Sequence, residues 1–499
     1  MTTSKPIIDQ RRVVIGAFFL LNLLLLLLLA DRNGYEGDDL NSIAPMLHLS
    51  EAKNGYLEIY RYHWQPLSYE VGAAAYRIFG NPDAIFLMAP VAAAISLTLL
   101  LAICWPRSSP QSGAFGPIIA LLALPEIWFS GLYYNSTILG LPFLLMAFLL
   151  LAGRDYFVTT LLAAVLTCLA IFMRLDFALV VPGLMLVAWR ADGSIAKPSV
   201  YIAAVIATLA VALLIGFLRP DLIWESYLSA SRELAARSTE PGWDLRTKLL
   251  VISTTLSPIG WLIVVIGGPL ALLHSIRRAP WATAVAIIAM APLVLPMRNL
   301  LSVKYALPFF VFLTIFLTQC LSSIERVLPA SYRFAMRSAL VVGTTILMFV
   351  SVSVYGKPPY LTLGALASRP IETHDGPRSY GGYLWQMAAV NQLATPSDRE
   401  IRARQLFDEI LDASGPDLVF VGDENYFSPG GVGWRHLQLM LEQAGFRGRL
   451  IAPHTLQFDI GPRRLTLLRE FEGNASLPPF DRGGGVKLHD FRDPKEQRR

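Results

Sequence analysis

Charge is what this chain has least of. Only 16% of its 499 residues are Asp, Glu, Lys or Arg, while 54% are hydrophobic and the mean hydropathy is +0.48. Soluble domains carry about 25% charged residues, so the composition excludes an ordinary soluble protein and indicates a membrane protein. Cysteine is nearly as scarce. Cys104, Cys168 and Cys320 all fall in or beside apolar segments, which excludes a disulfide framework and gives no metal spacing. The hydrophilic C-terminal region has none and can therefore live in an oxidising compartment without disulfide bonds. There is no internal repeat and no long low-complexity run. The net charge of +5 does not imply a nucleic-acid partner, because the basic residues cluster in short loops between apolar runs, where lipid topology accounts for them.

Long apolar runs are what the chain has in abundance. Residues 13–30 follow Arg11 and Arg12 and lack a small-residue cleavage site, so they read as an uncleaved anchor. At about 1.5 Å rise per residue they nearly cross a hydrocarbon core of about 30 Å. Ten more spans are expected at 83–104, 114–132, 137–152, 156–173, 177–190, 200–218, 248–273, 280–297, 305–322 and 338–355. With the N-terminus in the cytoplasm, the inner loops would carry Arg107, Arg154, Arg190, Lys197, Arg277, Arg278, Arg326, Arg333 and Arg337, as the positive-inside rule requires. An odd number of spans then places 31–82, 219–247 and everything after about 356 on the outer face.

The chain is thus expected to divide into a membrane domain, 1–355, and a soluble extracytoplasmic domain, 356–499. In the latter, 397–412 and 434–444 read as helices and 417–421 and 465–468 as buried strands, an alternation that suggests a small α/β layer. The last stretch, DRGGGVKLHDFRDPKEQRR, is expected to fray. SPGGVGWRHL, 428–437, lacks the glycine spacing and lysine of a P-loop and reads as a tight turn.

The first outer loop holds the chemistry. GYEGDDLNS, 34–42, places Glu36, Asp38 and Asp39 just beyond the first span, and RYHWQPLSY, 61–69, packs Arg61, Tyr62, His63, Trp64 and Tyr69 around a proline. Pro66 can open a helix at its first turn, and 67–79 has apolar residues suited to lying along a membrane surface. KYALP, 304–308, begins a late span, and 219–246 carries Trp224, Tyr227 and Trp243, aromatic residues that favour the headgroup level. Each feature has a plainer reading. Carboxylates after a span are often a solvated face, His63 can simply bond a neighbour, and Arg174 with Asp176 in FMRLDF can be a structural ion pair.

Taken together, GDDLNSIAPM, QPLSY and KYALP resemble the motifs of the GT-C superfamily, multispanning glycosyltransferases that take sugars from polyprenyl-phosphate lipids. The similarity, over about residues 10–355, is to the branch of protein O-mannosyltransferases and lipid A aminoarabinose and galacturonic acid transferases. The chain departs from the aminoarabinose enzymes, which carry a lysine before a double proline where this chain has His63, Trp64 and Gln65. It also has Lys304 where arginine is commoner, and lysine lacks the bidentate fork for phosphate.

The resemblance implies a GT-C-like polytopic α-helical membrane protein of about 11 transmembrane helices with a C-terminal extracytoplasmic α/β domain, set in a bacterial inner membrane with that domain periplasmic. It implies transfer from a polyprenyl-phosphate sugar to a hydroxyl on a lipid, glycan or protein acceptor, with inversion. Asp38 and Asp39 would be catalytic, with Asp38 the base. Lys304, Tyr305, His63, Arg61 and Arg174 would contact the donor phosphate, and Glu36 and Tyr69 would position the acceptor or the loop. No cofactor is required. Two adjacent carboxylates could hold a divalent cation, but no further ligand spacing supports a metal site. Competing readings are a flippase for lipid-linked glycans, which should show paired broken helices in related halves, and a noncatalytic scaffold of envelope assembly.

Overall fold

The computed structural model describes residues 10–30, 37–49, 62–105, 115–153, 157–214, parts of 219–231, 256–278, 307–353, short stretches of 361–411, and 417–422, 434–452, 455–469 and 486–490. The expected span 280–297 lies outside them. The helices in chain order are α1 (Gln10–Leu29), α2 (Gly37–Leu47), α3 (Pro66–Phe79), α4 (Asp83–Phe86), α5 (Met88–Cys104), α6 (Phe115–Leu122), α7 (Glu126–Ser130), α8 (Ser136–Ala152), α9 (Phe157–Met173), α10 (Val181–Asp192), α11 (Ala196–Leu214), α12 (Pro258–Arg278), α13 (Leu307–Val327), α14 (Ala330–Phe349) and α15 (Trp434–Gln443). The strands are β1 (Val350–Ser353), β2 (Leu361–Leu363), β3 (Ser379–Gly381), β4 (Asp417–Gly422), β5 (Arg449–Ala452), β6 (Thr455–Ile460), β7 (Arg463–Arg469) and β8 (Val486–Asp490). The chain forms two units: unit 1 holds 1–30, 89–217 and 238–389, and unit 2 holds 31–88, 218–237 and 390–499.

Unit 1 is a set of apolar helices. Arg11–Leu29, Asp83–Cys104 (which begins in unit 2), Ala196–Leu214 and Leu307–Val327 are each long and apolar enough to cross a membrane. On α1, Leu20, Leu21, Leu24 and Leu28 are more than half exposed, whereas Leu26 is fully buried. A leucine face of that size in water would be costly, so the molecule is an integral membrane protein and this face meets lipid. Asn22, in the middle of the run, is satisfied within the unit. Its amide donates to the Phe18 carbonyl at 2.7 Å, and its Oδ1 accepts the indole N–H of Trp128 at 2.7 Å.

Cations bind helix ends in unit 1 and bring neighbouring spans together head to tail. Arg11 donates to the carbonyls of Trp105 and Ala102 at the end of α5, at 3.0 and 3.2 Å. Lys197, buried at 1% exposure, donates to the Leu151 and Gly153 carbonyls at the end of α8, at 2.9 and 2.7 Å. Arg337 on α14 pairs with Glu325 near the end of α13 at 2.7 Å. Each cation meets the negative end of a helix dipole or a carboxylate there, and each contact sets the start of one span beside the end of another. That is the up-and-down order the apolar runs imply.

Proline and side-chain caps shape the span boundaries. The expected span 114–132 is two short helices, because Pro125 has no N–H to donate and its ring clashes with a preceding turn. The expected span 177–190 begins as a 3-10 turn, Leu175–Val180, before α10. Asn135 caps α8 by accepting the Ile138 N–H at 2.8 Å and is buried, which removes its sequon from any surface. Where 338–355 was expected to be helical, α14 starts earlier and ends at Phe349. The VSVS that follows, with β-branched Val350 and Val352, is the centre of an antiparallel sheet of order β2-β1-β3.

In unit 2, a five-stranded mixed sheet has the order β5-β6-β7-β4-β8. β4 runs parallel to β7 and β8, while β5, β6 and β7 form antiparallel pairs. The expected α/β layer is present, and β8 corrects the expectation of a frayed end, since Val486 to Asp490 pair with Asp417 to Val421.

One close approach fixes the α12–α13 contact. A Cβ on Gly267 would stand 2.7 Å from the Cys320 Cβ and 2.8 Å from its backbone oxygen, whereas one on Gly268 would meet nothing closer than 3.8 Å. Small residues at such crossings let helix backbones touch. Gly267→Ala is expected to destabilise the protein by about 1–3 kcal/mol, and Gly268→Ala to be neutral or stabilising by up to about 1 kcal/mol. Thermal unfolding in detergent compares them, and equal effects would contradict this packing.

Candidate functional site in unit 2

α2 begins at Gly37, so Asp38 and Asp39 belong to its first turn. Ile43, Ala44, Met46 and Leu47 anchor its later residues in the core. Pro66 opens α3 at its first turn, where the missing N–H costs nothing. The two helices meet. Gln65, buried just before α3, donates from Nε2 to the Ser42 hydroxyl at 3.4 Å, and a Cβ on Gly72 would collide with the Met46 sulfur at 2.3 Å. GDDLNS and QPLSY, separated in sequence, are therefore neighbours in the fold.

A second network fastens the turn Tyr62–Trp64 to the start of the 219–228 segment. The Tyr62 hydroxyl donates to Glu70 Oε1 at 2.9 Å, and Arg219 grips the same carboxylate with Nε at 2.8 Å and Nη2 at 3.2 Å. Arg219 has φ 42°, a left-handed conformation unfavourable for a side chain with a Cβ, and the ion pair helps hold it there. Burial, then the Glu70 carboxylate, pushes the Tyr62 phenol above the ordinary tyrosine range, so it stays a neutral donor.

His63 is held by Ser226. Its backbone N–H donates to the Ser226 hydroxyl at 3.2 Å, and its Nδ1 lies 2.8 Å from the same oxygen. Its ring sits 5.2 Å from Trp64 and 6.1 Å, edge-on, from Tyr227. Trp224 and Tyr227 stack and are largely exposed, as aromatic residues at a headgroup boundary are.

The expected site residues therefore fall out as follows. Asp38 and Asp39 share the first turn of α2, and the helix bearing them packs on the helix bearing Tyr69. Tyr69 is buried, 5.6 Å ring to ring from Tyr62. His63 is tied to Ser226. Arg174, in unit 1, donates to Asp176 at 2.7 Å and lies 3.4 Å from the Ser136 hydroxyl, which is the ion pair foreseen as its plainer reading. Glu36, Arg61, Lys304 and Tyr305 lie outside the described residues. Glu70, Arg219, Ser226 and Gln65 were not singled out as site residues in the sequence. Glu70 directly follows QPLSY, but nothing local marks Arg219 or Ser226 as its neighbours. Among the described residues no group of three or more His, Cys, Asp or Glu could hold a metal ion.

No protein-family model matches the chain, and no curated protein matches it. Two solved structures are similar to part of it. Crystal structures of ArnT from Cupriavidus metallidurans, in the apo state and bound to undecaprenyl phosphate, superpose with TM-scores of 0.45 and 0.43 at 14% identity. The first comparison covers 68% of this chain and 65% of that one, so this chain spans just under two thirds of its length. The second covers 68% and 71%.

The Tyr62 network gives a signed expectation. A phenol whose folded pKa is raised adds stability that is complete below its unfolded value of about 10 and is lost as pH rises above it. Tyr62→Phe should cost about 1.5–3 kcal/mol at neutral pH, the usual range for a hydrogen bond to a charged group. It should also flatten the fall in stability above about pH 10. Denaturant unfolding at pH 7 and pH 11 measures both. An unchanged alkaline slope would contradict the burial of this hydroxyl.

Proposed function

We propose that this chain is a GT-C-type glycosyltransferase that moves a sugar from a polyprenyl-phosphate lipid to an acceptor hydroxyl on the outer face of the membrane. The observation that carries the reading is the packing of the GDDLNS helix against the QPLSY helix through Gln65 and Ser42. Two motifs whose joint occurrence suggested the family are thus parts of one local structure, beside a segment with exposed Trp224 and Tyr227.

The chemistry assigns roles. The acceptor oxygen attacks the anomeric carbon, the bond from that carbon to the phosphate oxygen breaks, and the configuration inverts. Asp38 takes the hydroxyl proton as general base, and Asp39 orients the loop or the acceptor with Glu36 and Tyr69. The leaving group is a lipid phosphate whose growing charge is met by Lys304, Tyr305, His63 and Arg61. Arg174 is the weakest of these candidates, since Asp176 already neutralises it. The donor is activated as a lipid, so no nucleotide pool is needed, which suits an outer-face site. The basic inner loops support that orientation, with the N-terminus cytoplasmic and the α/β layer outside.

The test is transfer by purified protein, with polyprenyl-phosphate sugars as donors and a membrane extract as acceptor. Asp38→Asn keeps the shape of the side chain but cannot take the proton, and is expected to lower transfer by about 10²–10⁴-fold with donor binding retained. Lys304→Ala should weaken donor binding and transfer together, with Lys304→Arg retaining more of both. Full transfer by folded Asp38→Asn and Asp39→Asn variants would return GYEGDDLNS to a solvated loop. A wild type that moves the lipid across the bilayer without transferring its sugar would favour the flippase reading.

A further inference from the structure

A buried carboxylate of the C-terminal layer grips the helix that carries the two aspartates. Glu442 sits in the last turn of α15 with its side chain only 1% exposed. That is an unfavourable place for an anion, because the negative end of the helix dipole lies there and water is excluded. Three donors or partners offset the cost. Gly448 N–H donates to Oε1 at 3.1 Å, His48 Nε2 lies 3.2 Å from the same oxygen, and the Tyr76 hydroxyl donates to Oε2. Only Gly448 is local. His48 directly follows the last residue of α2 and Tyr76 belongs to α3, so one carboxylate ties α15 to both motif helices.

A neighbouring contact acts on the same helix. Gln438, one turn earlier on α15 and itself buried, donates from Nε2 to the Ala44 carbonyl at 3.2 Å. Ala44 lies in the last turn of α2, so this side chain holds the far end of that helix. Gln443 extends the seam to α4 by donating to Asp83 Oδ1 at 3.0 Å. A helix of 11 residues interrupted by Pro45 would be marginal on its own. Its rigidity depends on what holds its far end.

We propose that Glu442 is a positioning residue for sugar transfer: with Gln438 it lets the C-terminal α/β layer set the placement of α2, and hence of Asp38 and Asp39. This rests on the glycosyltransferase reading above. General-base catalysis depends steeply on geometry, and a misplacement of about 1 Å can cost about 10²-fold in rate. A merely structural Glu442 would lower the amount of folded protein and leave turnover per folded molecule unchanged. A positioning Glu442 lowers kcat and spares the donor's KM, because it touches neither lipid nor sugar.

The experiment uses full-length protein in detergent. Polyprenyl-phosphate mannose, galacturonic acid and aminoarabinose are supplied in turn, with membrane extract as acceptor, and substrate-free amide exchange is followed in parallel. Glu442→Ala is expected to lower kcat per folded molecule by about 10²-fold, with the donor KM changed by less than about threefold. Glu442→Gln, which keeps the acceptor for Gly448 and the length of the side chain, should recover most of it. Gln438→Ala provides a milder version should Glu442→Ala fold poorly. Amides of 42–48 should exchange about tenfold faster or more in Glu442→Ala, with those of α13 unchanged. Arg464→Ala, which breaks only the exposed Asp417–Arg464 pair, should leave transfer and exchange as in the wild type. Unchanged kcat per folded molecule, or unchanged exchange in α2, overturns the proposal. If the wild type transfers none of the three sugars, the glycosyltransferase reading fails first and the positioning role falls with it, an outcome visible before any substitution.

Discussion

Hydrocarbon offers no partner to a backbone N–H or C=O, and most of unit 1 follows from that constraint. Its apolar runs have to be helices, and polar groups among them survive only where the protein itself completes their hydrogen bonds. Asn22 does so through Phe18 and Trp128. Lys197 does so through the carbonyls left over at the end of α8. In each case a group that would be costly in lipid becomes a fixed point between helices, so polarity specifies which spans lie side by side while hydrophobicity only places them in the membrane.

Unit 2 solves a different problem with a different material. Its elements are short, and polar contacts join α2 and α3 to their neighbours beside the apolar burial of Ile43, Met46 and Tyr69. The joints are polar and buried or half-buried: Gln65 to Ser42, Tyr62 and Arg219 to Glu70, and Glu442 to His48, Tyr76 and Gly448. Such networks are costly when incomplete and directional when complete. Directional joints are what a site needs if a carboxylate is to meet a hydroxyl at a fixed distance. The same unit exposes Trp224 and Tyr227, groups at home where lipid headgroups meet water.

Much of unit 1 was legible because a span is a local property, written in consecutive residues. Its boundaries were less so. Pro125 split one expected span and the 3-10 turn Leu175–Val180 delayed another, since a hydropathy window averages over such breaks. The short strands β1, β2, β3, β5, β6 and β8 went unread because three to six residues carry too little pattern. In the site, GDDLNS and QPLSY were visible as motifs and their contact was not. For His63 the sequence leaves open a phosphate contact and a bond to a neighbour, and nothing local in it marks Ser226 as that neighbour. Glu442 and His48 lie 394 residues apart, a separation no local pattern can bridge.

The proposed activity consumes a lipid-linked sugar on this protein. Mass spectrometry of lipid extracts, from cells with and without the chain, tests it most directly. The account predicts that, without the chain, a polyprenyl-phosphate sugar accumulates and one acceptor loses a matching glycan mass. Identical lipid and acceptor profiles in the two extracts would contradict it.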